Sequence, residues 1–554
     1  MDNKNLEIKQ ILSLAIENHQ KKNFKLAEDL YKKILTKDSN HFQSLFLLGT
    51  LFAQIKDYNK SITLLNKAVE IQPYHADSYH NLGSALSELG EFNKSIEILK
   101  KVIQIDPKHP DAYYNLGNAY KQIRDFPKAK KHYEKAIQLQ PKNTRALNNL
   151  GNVLKELGDL KDAIKTYKKV IQIQPNHARS YHNLGNAFKQ LGEFEKAKDS
   201  YYQAFNYQPS NLETLDTLSV LDEKILDLNL KGKINEVMSS KNLTQKDIAY
   251  GNFLLAKYEL QQKNFDGEFE YLLKGHSHYF DFRKKIFQIG VKYWLNDLPK
   301  IKELVNYGQS IVKKNESKFR PIFIVGVPRC GSTLIEKIIA SGPQNVSIGE
   351  ETSIISLLVG EEITKKGIFK PDIENFKKKV IEKYEEKKLI KKENNYIFTD
   401  KTLDNFFFIG LIKEIFPLAK IINCKRSSLS SIVSILKNNL GDVSWAHDLE
   451  HIFKFFDNYH KKIHSFKKIF PNLIYDLNFE NFVQYPELES KKLMKFCELP
   501  WNKKCLEFYK RKDLISNTAS NIQIRKAIYK DEKEKNIPYK QFLKEHGKKY
   551  SWFS

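Results

Sequence analysis

The sequence predicts a multidomain chain, in which an all-α solenoid of stacked helical hairpins precedes a three-layer α/β domain with a parallel sheet. Two observations predict this architecture. The first is a repeat with a 34-residue period in the N-terminal half, and the second is a strand, a glycine-bearing loop and a helix that begin at Pro321. The chain has 554 residues, which is enough for roughly three or four domains of ordinary size.

Proline and glycine mark the repeat, and each recurs in steps of 34 residues. Small residues recur in the same register, twelve positions after each glycine, where two helices would have to approach closely. One helical hairpin cannot bury its apolar face alone, so stacking of hairpins would supply the core. The pattern resembles the tetratricopeptide repeat in its period and its Leu-Gly, Ala and Pro positions. The prolines are Pro73, Pro107, Pro141, Pro175 and Pro209, and the glycines are Gly49, Gly83, Gly117, Gly151 and Gly185.

Three domains follow from these patterns. Residues 1–211 are predicted to form about six repeats, of which the first, near residues 8–41, is degenerate. Residues 212–318 keep a helical pattern but lose the register, and they are predicted to form a helical linker with one degenerate repeat-like pair at residues 250–279. Residues 319–554 are predicted to form the α/β domain, with parallel strands at PIFIV, NYIFTD, AKIINC and NLIYDLNF.

Asparagine stands two residues before the glycine in four successive repeats, at Asn81, Asn115, Asn149 and Asn183. These amides would form a ladder on the concave face of a solenoid, where each can donate to and accept from an extended peptide. A similar ladder occurs in the repeats of the nucleocytoplasmic N-acetylglucosamine transferase. The alternative is that these asparagines belong to the repeat consensus and cap or bridge neighbouring helices. Leu47 interrupts the ladder one repeat earlier.

The segment PIFIVG-VPRCGST-LIEKIIASG is typical of a loop that binds phosphate between a strand and a helix. In such a loop, backbone N–H groups and the helix N-terminus point at an anion. Gly326 and Gly331 have the Walker spacing, but Ser332 and Thr333 follow instead of Lys-Ser/Thr, and the cation lies inside the loop at Arg329. This pattern disfavours a standard P-loop ATPase or kinase.

The loop resembles the 5′-phosphosulfate-binding loop of the sulfotransferases, written P-R/K-S-G-T-T-L, with departures at Cys330 and Ser332. A second motif, Arg426 after a strand and Ser434 eight residues later, resembles the 3′-phosphate site of that family, although R-S-S-L-S replaces R-D-P-x-D. Four further segments extend the resemblance over residues 320–535, to repeat-bearing bacterial sulfotransferases and more distantly to the protein-tyrosine sulfotransferases. They are FTDKTLDNFFFIGLIKEIFPLAKII, LNFENFVQYP, FCELPWNKKCLEFY and NTASNIQIRKAIY.

The resemblance implies a P-loop-type sulfotransferase that moves a sulfuryl group from 3′-phosphoadenylyl sulfate (PAPS) to an acceptor hydroxyl and releases adenosine 3′,5′-bisphosphate (PAP), without a metal. Arg329 would face the 5′-phosphosulfate, and Arg426 with Ser434 would hold the 3′-phosphate. Phe479 stands where the family has tyrosine. The other residues that the resemblance brings to the donor are Cys330, Gly331, Ser332, Thr333, Lys401, Ser520, Arg525 and Lys526.

The acceptor hydroxyl needs a general base. The segment SIGEET resembles the G-E-E-T of the protein-tyrosine enzymes, whose second acid matches Glu351, and the G-E-L of the bacterial members, whose acid matches Glu350. We expect Glu351 to be the base and keep Glu350 as the close alternative. Arg329 and Lys401 complete the predicted catalytic group. Both glutamates would also suit a purely structural role at the N-terminus of the helix that follows.

Composition bears on partners and location. The net charge of +25 includes only nine arginines, so lysine-rich usage weakens the case for nucleic acid, while the charge suits a polyanionic ligand. Four cysteines without paired spacing favour a reducing compartment. The polar start MDNKNLEIKQ argues against a secretory signal, and no apolar run is long enough for a transmembrane segment. We therefore expect a cytoplasmic protein.

Several functions remain open at this point. The repeats would recruit a protein or polysaccharide acceptor, and lipid or small-metabolite acceptors also fit the motifs. The alternative to an enzyme is an interaction scaffold of tetratricopeptide repeats, whose C-terminal domain binds nucleotide without catalysis. A glycosyltransferase of the N-acetylglucosamine type is suggested only by the repeats, and the loop after residue 320 does not fit it.

Overall fold

The structure is a computed structural model that describes residues 3–301, 304, 307, 319–390, 396–511, 525, 527–528 and 533–553, without the side chains of 3–5, 365–366 and 533–535. The chain divides into two compact units, Met1–Phe188 and Lys189–Ser554. The domain limits near residues 211 and 318 follow sequence motifs and stay predictions.

Helical hairpins succeed one another through the first unit, as the fold class predicts, and the last of them continues into the second unit. The first four helices are α1 (Asn3–Gln20), α2 (Phe24–Lys37), α3 (Phe42–Gln54) and α4 (Tyr58–Ile71). The next four are α5 (Ala76–Glu88), α6 (Phe92–Ile105), α7 (Pro110–Gln122) and α8 (Phe126–Leu139). Then come α9 (Thr144–Glu156), α10 (Leu160–Ile173), α11 (Ala178–Leu191) and α12 (Phe194–Tyr207).

Close packing within each hairpin explains the repeat positions. A Cβ atom at Gly151 would lie 2.4 Å from the ring of Tyr167, and that ring is fully buried. Ala163 and Val170 on the same second helix are also fully buried. The glycine and the small residues therefore recur because the two helices of a hairpin touch there, as the sequence predicts.

The second unit contains a further run of helices before its sheet. They are α13 (Leu212–Leu221), α14 (Leu228–Met238), α15 (Gln245–Gln261), α16 (Phe265–Phe282) and α17 (Lys284–Lys292). The pair α15 and α16 contains the degenerate hairpin predicted at residues 250–279. Buried side chains of this run, such as Leu254 and Phe287, belong to the same hydrophobic core as Phe406 of the α/β region.

Four parallel strands form the sheet in the order β2-β1-β3-β4. They are β1 (Ile322–Gly326), β2 (Thr399–Asp400), β3 (Lys420–Lys425) and β4 (Ile474–Asn478). β4 lies within its predicted strand, β1 and β3 each extend one residue past theirs, to Gly326 and Lys425, and β2 is much shorter than its prediction. Every residue of β1 is buried, which is typical of a parallel sheet covered on both faces.

Helices alternate with these strands. They are α18 (Ser332–Ala340), α19 (Ile354–Lys366), α20 (Ile373–Glu386), α21 (Ile409–Ile415), α22 (Ser428–Lys437), α23 (Leu449–Ile469), α24 (Phe479–Gln484), α25 (Pro486–Phe496) and α26 (Lys540–Gly547). In parallel α/β sheets, ligands bind where the strands end in loops at their carboxyl edge. No helix within the described residues has both the length and the apolar character needed to cross a membrane.

Candidate functional site

The loop after β1 has the geometry of an anion-binding turn. It runs from Val327 to Gly331 and leads directly into α18. Arg329 and Gly331 have φ angles of +70° and +93°, and such left-handed residues turn successive backbone N–H groups toward one concave side. Glycine is required at 331, because a Cβ atom there would lie 2.2 Å from Cδ2 of Phe479.

The structure brings the two predicted phosphate sites together. Arg329 donates from Nε to Oγ of Ser434 at 2.9 Å, and Arg426 donates from Nη1 to the carbonyl oxygen of Arg329 at 3.0 Å. Residues about one hundred positions apart in the chain thus meet at the carboxyl edge of β1 and β3. Arg329 and Arg426 are both partly exposed residues, which suits recognition of an anionic ligand from solvent.

Cys330 lies beneath this loop and not on its surface. Cys330 and Cys424 are both free and fully buried. A hydrogen bond from the Cys424 thiol holds the pKa of Cys330 below its ordinary value, whereas the same bond and burial raise the pKa of Cys424 well above its own. The thiol at 330 is therefore oriented toward the end of β3. Ser332 and Thr333, in the first turn of α18, are also buried.

Charged residues form a second cluster next to β2. Lys401 is fully buried and donates from Nζ to Oε1 of Glu351 at 2.8 Å, while the Glu351 side chain is 54% exposed. Burial lowers the pKa of Lys401, but Glu351 and Glu336 outweigh burial and hold it above its ordinary value. Lys401 is therefore a cation, and it holds the solvent-facing carboxylate of Glu351 in place.

Glu350 faces inward instead. Its Oε1 atom lies 3.2 Å from Nζ of the buried Lys337, and its backbone N–H donates to Oε1 of Glu336 at 3.1 Å. A φ of +51° at Glu350 turns the chain so that the two adjacent side chains diverge. Burial raises the pKa of Glu336, whose Oε1 also accepts from Thr399 at 2.7 Å.

One acidic residue of this cluster was missed by the sequence analysis. Burial raises the pKa of Asp404 to about 7, with smaller contributions from the charges of Asp400 and Glu351. Asp404 lies three residues after Lys401 in the FTDKTLDNF segment, but this spacing does not indicate that the carboxyl group is buried. Asp400 is a structural acid, because it accepts hydrogen bonds of 2.5 Å from both Thr352 and Tyr384.

The remaining donor-site predictions lie in the C-terminal segment. Ser520 and Lys526 are outside the described residues. Arg525 is described, and it donates from Nη1 to the carbonyl oxygen of Arg511 at 3.2 Å. Arg511 in turn donates to the carbonyl oxygen of Ala340 at 3.0 Å, at the end of α18. These contacts connect Arg525 to the C-terminal end of α18, and its role at the donor stays a prediction.

The predicted asparagine ladder bridges neighbouring repeats. Each of the four side chains donates from Nδ2 to a side-chain oxygen of the preceding repeat. Asn81 contacts Thr50 at 2.9 Å, Asn115 contacts Ser84 at 2.9 Å, Asn149 contacts Asn118 at 3.0 Å and Asn183 contacts Asn148 at 3.0 Å. This is the bridging role expected of asparagines that belong to the repeat consensus, and binding of an extended partner stays a prediction.

Both parts of the chain are similar to known protein families. Residues 321–503 match the model of the sulfotransferase family, and overlapping stretches between residues 42 and 211 match models of the tetratricopeptide repeat. An uncharacterized protein of Aquifex aeolicus (strain VF5) is 30% identical over 330 residues, which cover 56% of this chain. The match covers 42% of that relative's own length.

Two solved structures are similar to part of the chain. The crystal structure of MamA is 31% identical, with a TM-score of 0.29 over 30% of this chain and 96% of that one. The crystal structure of YrrB, described as a TPR protein with an unusual peptide-binding site, is 19% identical, with a TM-score of 0.31 over 34% of this chain and 96% of that one.

Proposed function

We propose that the protein transfers a sulfuryl group from PAPS to an acceptor hydroxyl, since residues 321–503 match the sulfotransferase family and stretches between residues 42 and 211 match the tetratricopeptide repeat. The observation that carries this proposal is the contact of Arg426 and Ser434 with Arg329 at the phosphate loop. A ligand with phosphate-like groups at both ends of a nucleoside suits two arginines that meet in this way.

Binding of the donor is assigned to two sets of groups. The backbone N–H groups of residues 330–333, at the start of α18, would bind the 5′-phosphosulfate together with Arg329. Arg426 and Ser434 would bind the 3′-phosphate and so distinguish PAPS from ATP, which lacks that group. Each guanidinium is always charged and matches phosphate geometry through paired N–H donors.

Transfer of the sulfuryl group requires charge stabilisation more than covalent catalysis. A bond forms between the acceptor oxygen and sulfur while the bond between sulfur and the 5′-phosphate oxygen breaks. Arg329 is placed in the loop to stabilise the negative charge that grows on the departing phosphate. Lys401 would contribute a second positive charge from beneath the site, since it is a buried cation.

The proton of the acceptor hydroxyl must leave during this step. We propose that Glu351 accepts this proton, because its carboxylate is exposed and is oriented by Lys401 at 2.8 Å. Glu350 suits this role less well, since only 18% of its side chain is exposed and it pairs with the buried Lys337. The pKa of Asp404 near 7 makes this residue a candidate to pass the proton onward.

We propose that the repeats recruit the acceptor, and that the acceptor is a protein or a polysaccharide. The bridges made by Asn81, Asn115, Asn149 and Asn183 fix a regular row of amides along four repeats. A regular row of amides suits a polymer with a repeating backbone, and it offers few contacts to a small metabolite. We propose a cytoplasmic location, because the sulfate donor is made there.

The experiment that tests the donor assignment is calorimetric titration of the full chain with PAP, and with ATP for comparison. We expect selective binding of PAP and about 10- to 100-fold weaker binding by Arg426→Ala, from the loss of a charge-assisted contact. Arg320→Ala is the matched control, because Arg320 forms an ion pair with Glu498 at 2.6 Å near the opposite end of the sheet.

Two outcomes would contradict the proposal. If the folded protein binds neither nucleotide, the enzyme assignment is wrong and the protein functions as an interaction scaffold through its repeats. If Arg320→Ala and Arg426→Ala weaken PAP binding equally, the 3′-phosphate site is not at Arg426. Selective binding would justify a screen of peptide and polysaccharide acceptors with labelled PAPS.

A further inference from the structure

Phe479 links the phosphate loop to the end of β4. It is the first residue of α24, directly after that strand. Its ring lies over Gly331, so close that a Cβ atom at 331 would fall 2.2 Å from Cδ2 of Phe479 and 2.4 Å from its Cε2. Since this contact is with the backbone of the loop, the ring forms one wall of the loop that precedes α18.

The same ring supports Arg426. The guanidinium carbon of Arg426 lies 5.0 Å from the centre of the Phe479 ring, within the range of a cation–π contact. Arg426 also donates to the carbonyl oxygen of Arg329 at 3.0 Å. A long, flexible side chain is thus fixed at its head from two directions, by a ring face and by the loop carbonyl.

The residue after Phe479 strengthens this connection. Glu480 accepts from the backbone N–H of Ser427 through Oε1 at 2.8 Å. Residues 479 and 480 therefore hold residues 426 and 427 at two points, one on the side chain and one on the backbone. The end of β4 is thus connected to the end of β3 next to Arg426.

We propose that Phe479 is a positioning residue, which holds the Arg426 guanidinium in the orientation that recognises the 3′-phosphate of the donor. This inference rests on the proposed function. The position carries tyrosine in the sulfotransferases that the sequence resembles, and here it acts through the face of its ring and needs no hydroxyl. Preference for a 3′-phosphorylated nucleotide should then depend on an aromatic ring at 479.

The test measures, in the full chain, the dissociation constants of PAP and of adenosine 5′-monophosphate, which lacks the 3′-phosphate. Phe479→Met fills the space over Gly331 without a ring face, and Phe479→Tyr restores the ring. We expect Phe479→Met to weaken PAP binding by about tenfold, the equivalent of a partly desolvated cation–π contact, and to change binding of the monophosphate by less than about twofold. Phe479→Tyr should remain within about threefold of the natural protein for both ligands.

Phe496→Met is the matched control. The Phe496 ring also makes a cation–π contact, since Nζ of Lys420 lies 5.4 Å from its centre. Lys420, however, begins β3 at the edge of the sheet opposite the loop. This variant should leave both dissociation constants unchanged. Circular dichroism of each variant establishes that it is folded before titration.

The outcomes separate the two proposals. If the natural protein prefers PAP but Phe479→Met retains the whole preference, the positioning role is wrong and the donor assignment stands. If Phe479→Met weakens both nucleotides equally, the ring only supports the loop, and the positioning role is again wrong. If the natural protein shows no preference for PAP, the proposed donor fails and this inference fails with it.

Discussion

At the scale of single residues, two adjacent glutamates differ in surroundings and therefore in expected role. Glu351 is exposed and is oriented by Lys401, whereas Glu350 is turned inward onto Lys337. We predict that Glu351→Gln lowers kcat by about 10²- to 10⁴-fold, as expected for loss of a general base, with little change in PAP affinity. Sulfate transfer from labelled donor to the acceptor found in the screen measures this.

Glu350→Gln serves as the comparison. It should lower stability more than rate, because it replaces the 3.2 Å ion pair with the buried Lys337 ammonium by a neutral amide contact. A lower unfolding temperature with kcat within about threefold of the natural value is the expected pattern. The reverse pattern, in which Glu350→Gln abolishes turnover and Glu351→Gln does not, would exchange the two assignments.

Motif spacing predicted residues that act through local backbone geometry. Arg329 and Gly331 could be identified because a loop between a strand and a helix fixes their positions, and Arg426 follows a strand in the same way. Asp404 could not be ranked from the sequence, since the shift of its pKa depends on burial within the folded domain. The inward turn of Glu350 depends on a left-handed φ that its sequence does not signal.

At the scale of elements, histidine caps the first helix of several repeats. The Nδ1 atoms of His41, His75, His109 and His177 accept from a backbone N–H three residues later, at 3.1 to 3.3 Å. The fourth repeat in this register has Asn143 as the cap instead. An imidazole accepts such a bond only while Nδ1 is unprotonated, so the cap at His177, whose pKa is lowered by burial and Arg179, depends on pH whereas the asparagine cap does not.

We predict that acidification loosens α11 through its cap. Burial and the nearby Arg179 lower the pKa of His177, so the unfolded chain binds the proton more readily than the folded one. Stability from this cap is therefore complete above pH about 6.5 and is lost as the pH falls below it. Hydrogen exchange of the backbone amides of residues 178–191 should accelerate, relative to intrinsic rates, between pH 7.5 and 5.5.

Reciprocal variants check this interpretation. His177→Asn should remove the local acceleration on acidification, while Asn143→His should introduce it at α9, each through a cap contribution of about 1 kcal/mol. If acidification affects α9 and α11 alike in the natural protein, the histidine cap is not the cause.

Elements with a strong period were predicted well, and elements defined by pairing were predicted less well. The positions of the hairpins could be predicted from the 34-residue spacing, because each glycine and small residue marks a contact between two helices. Strand β2 is only two residues long although six were predicted, since its pairing with β1 covers Thr399 and Asp400 alone. Sequence alone shows that a segment suits a strand, but its length depends on the neighbour.

At the scale of the whole molecule, a buried histidine pair joins the helical run to the α/β region of the second unit. His276 on α16 and His447 lie with their Nδ1 atoms 3.0 Å apart. Their Nε2 atoms face the carbonyl oxygens of Leu436 at 2.8 Å and Leu440 at 3.3 Å. Two residues 171 positions apart thus depend on each other, a relation that no local pattern could have predicted.

Burial explains the acid sensitivity of this pair. Burial lowers the pKa of His276 to about 4, and burial together with the charge of His276 lowers that of His447 to about 3. The stacked rings of Tyr279 and Phe287 enclose His447 and leave little room for water to solvate an added charge.

We predict that the second unit loses stability in acid through this pair. Unfolded histidines titrate near pH 6.5, so the unfolded chain takes up protons that the folded pair excludes. The free energy of unfolding should therefore fall as the pH decreases from about 6.5 toward 4, with a slope equivalent to about one to two protons. Urea unfolding across this range, followed by the fluorescence of Trp445 and the other tryptophans, measures the slope.

His276→Gln is the decisive variant, because its amide can still donate to the carbonyl oxygen of Leu436 but cannot titrate at these pH values. The variant should be less stable than the natural protein at pH 7.5, where its packing is imperfect, and its slope between pH 6.5 and 4 should be smaller by about one proton. His278→Gln provides the control, since His278 on the same helix is partly exposed and contacts Gln245. An unchanged slope in His276→Gln would show that acid acts elsewhere, and that the pair contributes packing alone.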